Sequence, residues 1–289
     1  MIKPSTFSIV AFDSSASAWG IAVASKFPAA GAVVPWARAD AGAVATQSYA
    51  NTSYGPLGLD MMTSGMSASD ALEKLVADDK GRDLRQVGLV DLEGRAATYT
   101  GKDCFEWAGG LTGEGYCVQG NILVGEMVIQ SMAAAFESAE GELPERLMTA
   151  LLAGDRSGGD KRGRQSAGLL VVKPEGGYGG YNDRWIDYRV DDHDDPVPRL
   201  IGLLELHHLY FEKSPPEEEL SIEGEILNTL QAMMIQQGYK LNATNDVFNT
   251  ITQKALRQFL GNENFEERAD FDAGLIDAPV YEFLKRKFS

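Results

Sequence analysis

The sequence predicts an α+β fold, with mixed or antiparallel sheets covered by helices, followed by a small helical domain. Three observations carry this. Short strand-like runs dominate the first two hundred positions. The helical blocks among them do not alternate with strands as βαβ units would. Past a Pro/Glu-rich stretch at 211–221, "FEKSPPEEELS", the pattern turns helical. The expected domains are 1–213 and 221–289, with 214–220 as the linker.

The chain opens on "KPSTFSIVAFD", residues 3–13. Phe7, Ile9 and Ala11 point one way and Ser8, Val10 and Phe12 the other, which makes a strand covered on both faces. Thr6 at its head has two readings. It is a β-branched strand residue, or it is a nucleophile whose own amine becomes the base once it is the first residue. Further strand-like runs occur at 18–26, 31–36, 42–47, 86–91, 95–100, 115–119, 166–173 and 184–190. "LVDLEGRAATY" predicts a hairpin with Glu93-Gly94 near its turn. One helical block spans Tyr54 to Val76, and Ser67 with Asp70 forms a box-like cap for its second half. The other spans Glu126 to Ala153 and is split by Pro144.

The tail predicts three amphipathic helices. "EGEILNTLQAMMIQQG" lines up Ile226, Leu230, Met233 and Met234, with Gly238 as a stop. "NDVFNTITQKALRQFLG" offers Asn245 or Asp246 as a cap and Phe248, Ile251, Ala255, Leu256 and Phe259 as a stripe. "DAPVYEFLKRKF" supplies the third. The tail holds no His and no Cys, so it shows no metal or thiol chemistry.

A net charge of −16 and a pI near 4.6 argue against nucleic acid or an anionic membrane as a partner. The two cysteines, Cys104 and Cys117, lack CxxC spacing and read as core thiols of a reducing compartment. The N-terminus has no apolar signal core, and no run reaches membrane-spanning length, so the cytoplasm is the expected address.

The common catalytic motifs are missing: there is no HExxH, no P-loop and no GxSxG. "GRQSAG" around Ser166 has Arg164 where a nucleophile elbow needs glycine. "EGGYGGYND" does not give GxGxxG and reads as a turn. His207 and His208 lie on a Leu-rich helix as packing or surface residues. His193 sits among four aspartates in "RVDDHDDP", which reads as a solvated acidic loop ahead of a cation site, and no metal is expected. Acyl chemistry without a usable histidine is open to a residue-one hydroxyl, because an α-amine with a pKa near 8 is partly neutral at working pH. Lys26 in "GIAVASKFPAAG" ends the strand after a short hairpin from the Thr6 strand. It is read either as the cation that tunes that amine or as a structural lysine.

Six stretches resemble, in this order, a bacterial family of uncharacterised proteins, domain-of-unknown-function family 1028. They are "TFSIVAFD", "SKFPAAGAVVPWA", "GAVATQSYANTSYGPLGL", "TGEGYCVQGNIL", "GGDKRGRQSAGLLVV" and "GGYNDRWIDYRVDDHDDPV". The resemblance implies the fold of N-terminal-nucleophile hydrolases, a four-layer αββα sandwich. The family typically begins at the threonine that corresponds to Thr6, preceded only by Met or by a longer leader. Here Met1–Ser5 stand ahead of it, so cleavage between Ser5 and Thr6 is required. The resemblance gives other residues jobs. Gly120 and Asn121 of "VQGNIL" would hold an oxyanion, or merely end a strand. Asp160, Arg162 and Arg164 would pin a substrate carboxylate. Gln47, Asn51 and Tyr54 would line the pocket, and "YNDRWIDYRVDD" would form an Asp–Arg network across a homodimer interface. The tail, in "IQQGYKLNATNDVFNTITQKALRQFL", resembles peptidoglycan-binding-like modules. The resulting expectation is a cofactor-free hydrolase of a non-peptide amide or related C–N acyl bond in a small molecule. Thr6 would be its nucleophile, tuned by Lys26. The alternative is a non-catalytic binding protein whose C-terminal bundle holds a partner or glycan.

Overall fold

Period-two alternation decides the layering. A computed structural model describes residues 6–241 and 247–288. Contacts divide the chain into two units, Met1–Leu204 and Glu205–Ser289.

In the first unit, β1 (Thr6–Asp13), β2 (Ala18–Ser25), β7 (Gly109–Gly113), β8 (Tyr116–Asn121), β9 (Ser166–Val172) and β10 (Arg184–Val190) form one sheet in the order β10-β9-β2-β1-β8-β7. A second sheet is β3 (Pro35–Arg38), β4 (Gly42–Ser48), β5 (Arg85–Asp91) and β6 (Ala96–Thr100), in that order. Every pairing in both sheets is antiparallel. The odd-numbered residues of β1, Phe7, Ile9 and Ala11, pack with Ile129 and Met132 of α3 (Met127–Ser138) and Leu147 and Leu151 of α4 (Leu143–Arg156). Val10 on the opposite face packs with Ile21 and Val23 against Ala43, Ala45 and Val90 of the second sheet. The outer face of that sheet, with Val44, Val87 and Leu89, is covered by α1 (Tyr54–Thr63) and α2 (Ala68–Asp78). The first unit is thus an antiparallel α+β fold.

Local signals account for most boundaries. Ser67 accepts the Asp70 amide at 3.1 Å and caps α2. Pro144 sits in the first turn of α4, where its missing N–H is harmless. Gly94 takes φ +76° in the β5–β6 turn. The expected strand at 31–36 is instead a 3₁₀ turn at Ala30–Ala32 followed by β3, which begins on Pro35. A proline opens an edge strand more readily than it sits inside one. Strand β7, "GGLTG", has no apolar alternation to announce it. Its glycine is needed: a Cβ on Gly110 would lie 2.7 Å from the Val118 carbonyl.

The second unit has its own core around Leu230, Met234, Leu256, Phe259 and Phe265. Its helices are α6 (Gly224–Gln236), α7 (Thr250–Asn262) and α8 (Ala278–Phe288), and α5 (Pro196–Phe211) runs into it from the first unit. Gly238, at φ +84°, ends α6 as expected. Three differences stand out. The unit contains a small sheet, β11 (Glu219–Ser221), β12 (Ala269–Asp270) and β13 (Leu275–Asp277), whose strands are too short to show periodicity. The stretch read as a linker therefore includes a 3₁₀ turn at Pro216–Glu218 and the start of β11. The cap of α7 is Asn249, whose side chain accepts the Ile251 and Thr252 amides; Asn245 and Asp246 lie outside the described residues. With α7 starting at Thr250, Ile251 is turned outward and is exposed.

The close approach of the two sheets rests on small residues, and Gly88 is the tightest point. A Cβ there would lie 2.2 Å from Oε1 of Gln119 and 2.7 Å from Sγ of Cys117. Gly88→Ala is therefore expected to destabilise the first unit by about 1–3 kcal/mol through overpacking, measured by urea denaturation. An unchanged midpoint would show that the sheets can separate at no cost.

Candidate functional site

Toward the Thr6 end of the sheets, the space between them changes from apolar to polar. Register decides which groups meet there. Thr6 pairs with Ser25 on one side and with Asn121 on the other, and Ser25 pairs with Ser166. Asn121, Thr6, Ser25 and Ser166 therefore form one row across β8, β1, β2 and β9. Their side chains share the face that Val10 and Ile21 occupy further along.

Behind this row, four buried side chains bridge the sheets. Ser8 Oγ donates to Gln47 Oε1 at 2.7 Å and accepts from Gln119 Nε2 at 2.7 Å. Gln47 Nε2 donates to Gln86 Oε1 at 2.9 Å and to the Thr6 carbonyl at 3.3 Å. Gln86 Nε2 donates to the Gly120 carbonyl at 2.7 Å, and Gln86 Oε1 also accepts Asn121 Nδ2 at 2.9 Å. Thr6 itself is 4% exposed, with its hydroxyl 3.3 Å from that of Ser25.

A cleft of about 500 Å³ opens beside this row, lined by Phe7, Ser25, Lys26, Asp155, Arg164 and Asp194, among others. Its wall is a set of internal ion pairs. Buried Asp160 accepts the Lys26 amide at 2.7 Å and the Arg162 amide at 2.9 Å, and it pairs with the Arg162 guanidinium at 3.0 Å. Arg164 pairs with buried Asp155 at 2.7 Å and with Asp195 at 3.6 Å. The hydrogen bond to Asp155 raises the basicity of Arg164 further. The Lys26 ammonium donates to the Arg164 carbonyl at 3.0 Å.

The backbone is unusual where these elements end. Ile122, directly after Asn121, has φ +51°, and Ser48, directly after Gln47, has φ +65°. A β-branched residue in the left-handed region is costly and persists only where its surroundings impose it. Here the Ile122 amide donates to Phe105 O at 2.9 Å, and its carbonyl accepts the Lys161 amide at 3.0 Å. These bonds steer β8 into the Asp160 loop.

The structure thus brings Thr6, Gln47, Gly120 and Asn121 into one network, and Lys26, Asp160, Arg162 and Arg164 into the adjacent wall. Among the described residues no hydrogen bond joins the Lys26 ammonium to the Thr6 hydroxyl. Asn51 and Tyr54 belong to a different cluster. Both bond Asp79, at 3.1 and 3.0 Å, together with Arg85 at 2.9 Å. That cluster ties the start of α1 and the end of α2 to β5. The Arg85 hydrogen bond holds the Asp79 carboxyl well below the usual carboxylate range. Burial, with Asp79 beside it, pushes the Tyr54 hydroxyl up.

Ser8, Ser25, Gln86, Gln119 and Asp155 escaped the sequence reading. A parity argument finds the two glutamines: each sits at an inward position of a strand that is otherwise apolar on both faces, so each must be bonded internally. In the acidic turn, His193 Nδ1 accepts the Asp195 amide at 2.9 Å and Asp192 accepts Gln165 Nε2 at 3.0 Å. Among the described residues no group of three or more His, Cys, Asp or Glu is arranged to hold a metal. Nor is any described helix long and apolar enough to cross a membrane.

Residues 6–200 match the "Family of unknown function (DUF1028)", and the chain belongs to that family. Residues 210–284 match a second family, described as a "Putative peptidoglycan binding domain". The crystal structure of protein SPO2555 from Silicibacter pomeroyi, of the same DUF1028 family, is similar at 29% identity with a TM-score of 0.66. The match covers 72% of this chain and 91% of that one. No curated protein matches.

The Asp79 cluster yields a pH prediction. The folded pKa of Asp79 lies below the unfolded value of about 3.9, so its stabilisation is complete well above that value, starts to fade as pH approaches it, and is lost in full only as pH falls on through the lower folded pKa. Asp79→Asn is expected to cost about 1–3 kcal/mol at pH 7. The gap to wild type should narrow steadily in melts taken from pH 5 to pH 3. A gap that stays constant over this range would mean that the Asp79 charge contributes nothing.

Proposed function

We propose that the first unit is a four-layer αββα sandwich of the N-terminal-nucleophile hydrolase type, and that it hydrolyses a non-peptide amide or related C–N acyl bond. The observation that carries this reading is the row Asn121–Thr6–Ser25, set by strand register at the head of β1 beside a charged cleft. After removal of residues 1–5, the Thr6 amine takes the hydroxyl proton as Oγ1 attacks the acyl carbon. The same proton passes to the leaving nitrogen, and water then hydrolyses the threonyl ester. Asn121 supports the oxyanion. Lys26, next to the cross-strand partner of Thr6, disfavours protonation of the amine by like-charge repulsion. Arg164 is suited to a carboxylate on the substrate, while Arg162 is held by Asp160. No cofactor is required by this chemistry.

A second reading is a binding protein that retains the fold without turnover. It draws on the match of residues 210–284 to a peptidoglycan-binding family. Whether Thr6 becomes residue one separates the two. Intact-mass analysis and N-terminal sequencing of protein from its native host are expected to find Thr6 first. A start at Met1 or Ile2 in an active preparation would rule out the nucleophile reading. On a substrate drawn from a panel of acyl-amides, Thr6→Ala should abolish turnover and Thr6→Ser should retain part of it. Lys26→Met should lose ~100-fold while folding normally. Full turnover by both Thr6→Ala and Lys26→Met would exclude the mechanism.

A further inference from the structure

We infer that β10 is the contact surface between two copies of this chain, which pair their β10 strands antiparallel about a two-fold axis at Tyr188. This stands apart from the catalytic reading, and it commits the expected dimer to one strand and one register.

β10 is the last strand of the six-stranded sheet, so among the described residues one of its edges has no strand neighbour within the first unit. An open edge is a template for another strand unless something blunts it. Charges do line this edge, but their order is self-complementary. Arg184, Asp187 and Arg189 alternate in sign, and all three are exposed. Ile186, among them, and Val190, just beyond them, are buried in the core of their own unit. A two-fold axis at Tyr188 sets Asp187 directly opposite Arg189 of the second copy, and Arg189 opposite its Asp187. Two cross-strand ion pairs result, as an isologous contact requires.

The charge needing a partner is Arg189. Asp187 has Arg184 at 2.9 Å. Arg189 has no ion pair among the described residues. Its stem is nevertheless held in place: it lies over Gly31, where a Cβ would approach Arg189 Cγ to 2.8 Å. The guanidinium is therefore presented at little entropic cost.

The loop leading into β10 points the same way. Lys173 N bonds Asp183 O at 2.9 Å, and Gly177 N bonds Asn182 O at 2.8 Å, so the hairpin tip is fixed. On it, Tyr178 and Tyr181 are 87% and 93% exposed. Rigid exposed tyrosines are characteristic of contact surfaces. Antiparallel pairing carries this tip beyond Val190 of the second copy, toward its acidic turn Asp191–Asp195. There, phenol hydroxyls meet carboxylates that accept hydrogen bonds.

Charge reversal in two separate samples tests the register. Light scattering at micromolar concentration should give wild type at twice the 31.3 kDa chain mass. Asp187→Arg faces Arg against Arg at the axis, and Arg189→Asp faces Asp against Asp. Each alone should weaken the dimer by ~100-fold or more, because like charges meet twice. Mixed one to one, the two variants should restore the dimer as a heterodimer, which neither could do unfolded. If either reversal fails to fold, Asp187→Lys and Arg189→Glu repeat the test. A monomeric wild type, single variants that stay dimeric, or a mixture that stays monomeric would each overturn the proposal. The first result would leave β10 an edge merely blunted by charge, and the second would put the dimer on another surface.

Discussion

Four buried polar side chains, Ser8, Gln47, Gln86 and Gln119, set the distance between the two sheets of the first unit. A primary amide taken out of water costs several kcal/mol unless its donors and acceptors are met. Here each bonds across the interface or to strand carbonyls. Such a network has little freedom to shear, since sliding one sheet by a single residue would leave several donors unmet at once. The apolar half of the interface, with Val10, Ile21 and Val90, contributes burial but tolerates adjustment. The polar half fixes register and spacing. Everything at the Thr6 end is placed by it, including the carbonyl of Thr6 and the amide of Asn121.

This explains why irregular backbone gathers at the same end. Strands that terminate against a rigid network must leave it abruptly, and both Gln47 and Asn121 are followed by a residue in the left-handed region. The strain at Ile122 is held by bonds to Phe105 and Lys161 on either side. Through Lys161, the end of β8 is coupled to the loop that carries Asp160, Arg162 and Arg164. The polar row between the sheets and the charged wall of the cleft are therefore one mechanical unit, reached from two directions. A group held this firmly suits chemistry that needs preorganised donors more than chemistry that needs a closing lid.

Much of this fold was legible because apolar patterning is a strong signal. β1, β2, β4, β5 and β9 are short, near-continuous apolar runs, as strands covered on both faces should be, β10 alternates, and Ser67 and Pro144 mark helix starts. What escaped had no such signal. β7 is three-fifths glycine, and the strands of the small sheet in the second unit are two or three residues long. Of the expected site residues, Thr6, Gln47, Gly120 and Asn121 converge because strand register brings them together. Asn51 and Tyr54 are diverted to Asp79, which is 25 or more positions away in sequence. No local pattern connects a turn to the far end of a helix hairpin. The buried partner of Arg164 was equally hidden, since Asp155 belongs to a helix terminus that reads as ordinary.

Those pairings constrain any ligand of the cleft. Arg164 faces two carboxylates, and they are unequal. Asp155 is buried and lies 2.7 Å away, so removing it would leave an uncompensated charge inside the fold. Asp195 is 3.6 Å away, with both side chains about half exposed, and a solvated pair of that kind contributes little. A ligand carboxylate would therefore take the place of Asp195 and leave Asp155 untouched. Arg162 is less available, because its backbone amide and its guanidinium both hold the same buried carboxylate of Asp160. On the proposed chemistry, then, Arg164 receives the substrate's charge, Asp155 fixes the guanidinium plane, and Asp160 keeps the loop closed against the end of β2. The overall negative charge of the chain reinforces this selectivity. On that proposal, an anionic ligand would be repelled by an acidic surface and held where a guanidinium can exchange a weak internal partner for a stronger one.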